Sequence, residues 1–534
     1  MTIFILGAGV MQLPAINVAR EMGWTVAVAD GNPRAVGAGL ADRFFDVDLK
    51  DLEGLEAAAR AAKAELGLDG VFTAGTDFSA SVAWVAARLG LPGIPYETAL
   101  RASDKLRMRG ALAAAGVPSA RFAAVSAGEA PAAAAVSAGL ELPLVVKPAD
   151  SMGARGCRLA RTESELDEAV ACALSFSRSG RAIVEEYLAG PEFSVDALVV
   201  EGELRIRGFA DRHIAFAPFF VELGHTMPSS APPERVAEIL SVFAAGVKAI
   251  GIERGAAKGD MKYCESRGGP VVGEIAARLS GGYMSGWTYP YASGIEVTRE
   301  ALLIAVGRDP GSPPPERGWV SAERAFISIP GSFGGLVGER RARCRPYVKD
   351  FFLRPQKSET LGFPSNNVEK CGNIISQAPD RAAAVAAAEG AVGDLLVRLA
   401  PCDERTEAFL RGEGRIRGPD GDAWPPPAFP LAGETLRSLK EMPEWLDRDE
   451  GAARLPAGAP PLSVAPWAEA DGVEPRDWSG RSLAESASLA LEIAGLNFGI
   501  AGRRVLAGRF WRALALGGAQ AGLYVIDSAQ RKEE

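Results

Sequence analysis

The chain opens by alternating two hydrophobic periods. Short apolar runs, TIFIL, TVAVAD and GVFTAG, have the length of buried strands, and stretches of helical spacing lie near residues 12–22, 51–65 and 79–89. Strands joined through helices must run parallel, and right-handed crossovers place the helices on both faces of one sheet. A doubly wound parallel sheet, α/β in class, is therefore predicted for a first domain of residues 1–98, closing at LGLPGIP.

The next element, SDKLRMRGALAAAGVP, reads as a helix capped by Ser103 and stopped by Gly116 and Pro118. From 143 to 310 the pattern turns to strands, PLVVKP, CRLAR, AIVEEYL, EFSVDALVV and ELRIRGFAD, broken by helices near 163–178 and 232–250. That is α+β with hairpins, and residues 99–310 are assigned to a second domain. Residues 311–415 read as a smaller α+β cap, with strands in AERAFISIP and NNVEKCGNIIS and an alanine-rich helix from Asp380 to Leu399.

Past Arg415, GPDGDAWPPPAFPLAG and LPAGAPPLSVAPW read as linker or loosely packed cover. A helical tail from about 478 to 525 carries Phe498, Phe510 and Trp511, and no chemistry is assigned to residues 416–534. The absence of an internal repeat argues against a duplicated two-site synthetase.

Composition narrows the function classes. The 58 basic and 67 acidic side chains leave a formal charge of -9, which does not suggest a nucleic-acid surface. Six scattered cysteines without a C-x-x-C pair, and only two histidines, His213 and His225, cannot make a zinc site of standard spacing. Reduced thiols in a cytoplasm are expected. The start, MTIFILGAGVM, lacks a basic leader, and no uncharged run of ~18 residues predicts a membrane span.

Four strings can carry chemistry. GAGVMQ, with Asp30 ending the second strand, invites a dinucleotide reading, but Gln12 stands where the third glycine of G-x-G-x-x-G belongs, so a plain glycine turn is preferred. VVKPADSMGARGC places Lys147 at a strand end before a loop with Ser151, Gly153, Arg155 and Gly156, which can offer backbone N–H groups and positive charge to a polyphosphate or simply be a hairpin turn. AIVEEYLAGPEFSVD sets Glu185, Glu186 and Glu192 around a Gly190-Pro191 turn, and alone would pass for a solvated strand edge. In KGDMKYCE and GPVVGEIAARLSGG, Asp260 and Glu274 fall on successive strands about the turn ESRGG, so a hairpin would bring both carboxylates to one face. Such a pair is a hard-oxygen site for Mg²⁺, with Arg278 placed to meet a phosphoryl or acyl-phosphate oxygen.

Taken in order, Lys105, Lys147, the glycine loop, the acidic hinge, Asp260, Glu274 and Arg278 resemble the ATP-grasp superfamily of carboxylate-amine ligases, over about residues 1–400. The resemblance implies that residues 1–98 form a Rossmann-like domain preceding an ATP-grasp module of residues 99–310, with 311–415 as its C-terminal α+β part. It implies that Lys105 and Lys147 bind ATP phosphates under a mobile loop containing Ser151, Gly153 and Gly156. Glu185, Glu186 and Leu188 would border adenine, and Glu192 would bind the ribose hydroxyls. Asp260 and Glu274 would hold Mg²⁺ or Mn²⁺, and Arg278 would act with Lys147 in catalysis.

Within the superfamily, KPADSMGARG, FFVELGHTMPS and GPVVGEIAARLSGG are most similar to L-amino-acid ligases and their relatives. FFVELGHTMPS falls where the family places its second-substrate pocket, so Glu222, His225 and Arg278 are candidate substrate residues. Ala276 departs from the commoner pattern, standing where other branches have an asparagine metal ligand.

The reaction implied is attack of a carboxylate on the γ-phosphoryl group of ATP to give an acyl phosphate, from which an amine displaces phosphate. Such chemistry is mostly positioning and charge neutralisation, and the sequence offers no convincing Ser-His-Asp or Cys-His set. A formate- or bicarbonate-activating enzyme and a nucleotide-binding sensor without turnover are the alternatives. The partners expected are a small carboxylate and an amine, with no nucleic acid and no membrane, and a homodimer is compatible with the unassigned tail.

Overall fold

The computed structural model describes residues 1–418, 423–428, 445–447, 504–506 and 508–533. Two compact units make up the chain: Met1–Ile214 with Gly224–Ser321, and Ala215–Leu223 with Ala322–Glu534.

The first unit begins with β1 (Thr2–Leu6), β2 (Thr25–Asp30), β3 (Arg43–Asp46) and β4 (Gly70–Phe72), a parallel sheet in the order β3-β2-β1-β4. Every residue of β1 is buried because helices cover both faces. Ile3 and Ile5 pack with Ile16 of α1 (Leu13–Glu21), whereas Phe4 and Leu6 pack with Leu55 of α2 (Leu52–Leu66) and Val85 of α3 (Ser79–Leu89). The glycine turn after β1 is closed by its own residues. Gln12 accepts from the Gly9 N–H at 3.0 Å and donates to the Ala74 carbonyl at 2.5 Å, while Asp30 accepts from the Ala8 and Asn32 N–H groups.

Helices α4 (Tyr96–Ser103) and α5 (Lys105–Ala114) follow. The cap of α5 is Asp104 rather than the expected Ser103: its extended backbone lets the carboxylate accept from the N–H groups of Leu106 and Arg107 at 2.9 and 3.0 Å. Ser103 instead ends α4, its hydroxyl donating to the Ala99 carbonyl.

A four-stranded antiparallel sheet comes next, in the order β5-β8-β6-β7, from β5 (Phe122–Ser126), β6 (Leu144–Pro148), β7 (Arg158–Ala160) and β8 (Arg181–Glu186). It packs on α6 (Pro131–Ser137) and α7 (Glu163–Phe176). Strands β9 (Glu192–Val200), β10 (Glu203–Ala215), β11 (Val221–Met227), β12 (Gly255–Cys264) and β13 (Gly269–Ala276) form a ladder ordered β13-β12-β9-β10-β11. Helix α8 (Pro233–Ile250) covers one face so closely that a Cβ on Gly246 would lie 2.6 Å from Ile275 Cδ1.

In the second unit, β14 (Val320–Phe326), β15 (Gly331–Val337), β16 (Val348–Leu353), β17 (Thr360–Leu361), β18 (Gly372–Ala378) and β19 (Leu396–Leu399) pair in the orders β14-β18-β16 and β17-β15-β19. The alanine-rich helix is shorter than expected. It spans Arg381–Gly393, and the Leu-Val-Arg-Leu run after it becomes β19, pairing with β15 and burying Leu396, Val397 and Leu399. The tail also supplies core. Helix Gly508–Glu533, broken at Gly517 and Gly518, buries Phe510, Leu514 and Tyr524 against Phe409 and Leu399, and Asp527 accepts from Arg398 at 2.7 and 2.8 Å. The stretch LPAGAPPLSVAPW and Phe498 lie outside the described residues, as does the Trp511 side chain. No described helix is long and apolar enough to cross a membrane.

Candidate active site

Burial alternates along β12: Ala257, Gly259 and Met261 face the core under α8, leaving Lys258, Asp260 and Lys262 on the opposite face. The turn at Glu265–Gly268 returns the chain so that Asp260 stands directly opposite Glu274. A β-bulge interrupts the ladder at this point, between Asp260 and Met261. Gly273 is the extra residue on β13, and only glycine fits, since a Cβ there would sit 2.8 Å from the Asp260 carbonyl oxygen. Its own carbonyl accepts from Arg109 Nη2 at 2.6 Å. The bulge thus aims Glu274 across at Asp260.

Two lysines approach this pair from other elements. Lys105, first residue of α5, donates through Nζ to the Ser151 carbonyl at 2.6 Å and stands 3.8 Å from Glu274 Oε2. Lys147, near the end of β6, donates to Glu185 Oε2 at 2.6 Å, while Arg109 Nε donates to Oε1 of the same carboxylate at 2.7 Å. Burial pushes the Glu185 carboxyl up, but Arg109 and Lys147 together outweigh it and hold it at about 2. For Lys147 burial works downward, and the Glu185 charge more than offsets it, so the ammonium stays charged. Glu185 therefore fixes Lys147, and both its oxygens are engaged by protein cations.

The glycine loop runs from Ala149 to Cys157. Gly153, Ala154 and Gly156 all take left-handed backbone angles, and a Cβ on Gly156 would press on Phe176 and Pro148 at 2.9 and 3.0 Å. Arg155 ties the loop to Asp77 at 3.0 Å. The Cys157 thiol is pushed by burial up to about 11, as suits a packing residue beside Lys147.

In the hinge, Glu186 accepts from the Arg121 N–H and guanidinium at 2.8 and 3.0 Å. The Leu188 carbonyl accepts from Lys262 Nζ at 2.8 Å. Glu192 lies between its partners on the two neighbouring strands, Arg212 on β10 at 2.8 Å and Lys262 on β12 at 2.9 Å.

Arg278 follows β13 and donates to the carbonyls of Thr76 and Leu279, each at 2.9 Å. It pairs with no carboxylate among the described residues, so its charge is available to an anion. The close neighbour that Gly281 permits is Gly75: a Cβ on Gly281 would be 3.4 Å from Gly75 Cα, and the Gly75 N–H donates to the Leu279 carbonyl. His225 is buried with Nε2 3.3 Å from Ser194 Oγ, and that hydroxyl donates to Asp260 Oδ1 at 3.2 Å. Glu222 belongs to the second unit, where its N–H donates to Asn367 Oδ1 and its carbonyl accepts from Lys370 Nζ.

The site was built with partners that the motifs did not name. Arg109 lies one helical turn after Lys105, a spacing that puts both on one side of α5. Lys258 lies two residues before Asp260 and so shares its face. Both were visible as spacing from known positions.

As a metal site, the Asp260–Glu274 pair offers hard oxygens on one face and fits one divalent ion. No cluster of three or more His, Cys, Asp or Glu occurs among the described residues, and Ala276 offers no donor where the resemblance places an asparagine ligand.

Residues 140–285 match the ATP-grasp domain, and residues 325–400 match the L-amino acid ligase C-terminal domain 2. The solved L-amino acid ligase from Bacillus licheniformis superposes with a TM-score of 0.63 at 21% identity, covering 75% of this chain and 98% of that one. An uncharacterized protein of Sinorhizobium fredii, y4rH, is 25% identical over 360 residues, covering 66% of this chain and 73% of its own length. Carnosine synthase 1 of Gallus gallus is 26% identical over 344 residues, 58% of this chain, which spans only 36% of that longer protein. The chain therefore carries an ATP-grasp domain followed by an L-amino acid ligase C-terminal domain 2.

Proposed function

We propose that this protein is a cytoplasmic ligase, dependent on ATP and on Mg²⁺ or Mn²⁺, that activates a small carboxylate as an acyl phosphate and joins it to an amine. The observation that carries the reading is the Asp260–Glu274 register pair with Lys105 beside it and, just beyond the same strand, Arg278, which pairs with no carboxylate among the described residues. An amino acid is the favoured carboxylate, on the strength of the matched L-amino acid ligase C-terminal domain.

In this reading Lys105 and Lys147 hold the ATP phosphates, and the loop of Ser151, Gly153 and Gly156 covers them and excludes water. Glu186, Leu188 and Glu192 border the nucleoside. The metal ion, when bound, would draw charge from the phosphate oxygens as the γ-phosphoryl group moves. Arg278 steadies the acyl phosphate, and the carboxylate oxygen of the substrate itself is the nucleophile. The protein supplies no nucleophile of its own, and Cys157, protonated to about 11, does not compete for the role.

The test is phosphate release from ATP with pools of amino acids and amines, run with hydroxylamine to trap an acyl phosphate as its hydroxamate. Hydroxamate formation that needs both ATP and one amino-acid pool is expected. One observation favours the sensor reading: the ammonium of Lys258 rests on the Asp260 carboxylate. Silence across every pool, with ATP still bound, would establish that reading instead.

A further inference from the structure

Four side chains define the floor of the site. Lys258 stands opposite Ala276, and Asp260 opposite Glu274, in alternate pairs of the β12–β13 ladder, with Gly259 and Ile275 between them. Residues two apart on a strand share a face, so one cation, two carboxylates and one methyl group form a square. Lys258 Nζ makes its ion pair with Asp260 Oδ2, and both side chains are only 14% exposed. The other Asp260 oxygen accepts from Ser194 at 3.2 Å and lies 3.6 Å from Arg212 Nε.

Asp260 is thus already charge-compensated by the protein on both oxygens. Among the described residues Glu274 has one ion pair, with Lys105 at the longer distance of 3.8 Å. Opposite Lys258, the methyl group of Ala276 offers no oxygen of its own. A lysine ammonium is a compact point charge with three donors, suited to a phosphate oxygen.

We propose that Lys258 is a resident cation of the phosphate centre, doing with its ammonium what a second divalent ion would do, so that the nucleotide binds with one divalent ion per chain. Glu274 is the main protein ligand of that ion, and Lys258 meets the phosphate side of Asp260. The inference rests on the nucleotide-binding reading above. It adds a phosphate-binding residue and a metal count to that reading.

The experiment is a Mn²⁺ titration of the full-length protein with saturating ADP, counting bound Mn²⁺ by the electron paramagnetic resonance of the ion left in solution. One Mn²⁺ per chain is expected, and two per chain would overturn this inference alone. Failure of the wild type to bind ADP would overturn the nucleotide reading and this inference with it. Lys258→Met should weaken ADP binding at saturating Mn²⁺ by about tenfold or more, with Lys258→Arg recovering part of the loss. Wild-type ADP affinity in a folded Lys258→Met protein would show that the ammonium only neutralises Asp260, and would overturn the proposal. Should Lys258→Met not fold, the wild-type count decides.

Discussion

Lys147 donates to Glu185 at 2.6 Å, and the carboxylate that receives it is turned toward the lysine by Arg109 on its other oxygen. Two elements far apart in sequence, α5 and β8, therefore set where the ammonium of β6 can point. Arg109 also holds the bulge at Gly273, one residue before Glu274. One guanidinium thus positions Lys147 and the bulge that precedes Glu274 together.

Arg109→Met is expected to destabilise the protein by about 3–5 kcal/mol, because it leaves Glu185 buried with one partner lost. Chemical denaturation measures the loss. Loss of kcat beyond that expected from the folded fraction would follow from the displaced Lys147, and Arg109→Lys should restore stability only in part. A fully active, wild-type-stable Arg109→Met protein would refute the positioning role.

The Glu185 carboxyl, held at about 2, gives a pH dependence of definite sign. Its folded pKa lies below that of the unfolded chain, so its stabilisation is complete above the ordinary carboxylate range and is lost as pH falls toward about 2. The magnitude is roughly 3 kcal/mol, at about 1.4 kcal/mol per unit. The stability gap between wild type and Glu185→Gln should narrow over that acid window. A gap independent of pH would mean that Glu185 is not ionised in the fold.

Glu274→Ala is expected to lower turnover by about 10³-fold or more while the protein melts as the wild type does, since it removes a charge from the open face of β13 and no core volume. Turnover near the wild-type rate would remove Glu274 from the metal assignment.

Glu192 is held between Arg212 and Lys262, one on each carboxylate oxygen, and in the proposed reading it borders the nucleoside. Glu192→Ala should raise the KM for ATP about tenfold with kcat little changed, the pattern of lost uniform binding. An unchanged KM would place the ribose elsewhere.

Arg278→Lys should reduce kcat by about 10²-fold with a small effect on ATP binding, because a point charge cannot reproduce a bidentate guanidinium at a developing anion. Equal losses in ATP affinity and in kcat would instead make Arg278 a ground-state nucleotide contact.

Much of this was legible in the sequence. The alternation of Ile3, Ile5 with Phe4, Leu6 announced a strand covered on both faces, and the turn ESRGG between Asp260 and Glu274 announced the hairpin that pairs them. Local signals failed where two readings were equally good locally. Ser103 and Asp104 are both able caps, and only the extended backbone at Asp104 chose between them. The run after Gly393 has both helical and strand character, and its place beside β15 made it a strand.

By itself the sequence determined which side chains share a face, because strand and helix periods are properties of the local chain. It therefore determined the doubly wound start and the paired carboxylates Asp260 and Glu274. Only the tertiary structure decided the partners: Arg109 on Glu185, Lys262 on Glu192, Lys258 on Asp260, and the last helix in the core of the second unit. The reason is that a charge inside a protein takes its meaning from what stands within a few ångströms, and those neighbours come from strands and helices that the sequence keeps apart.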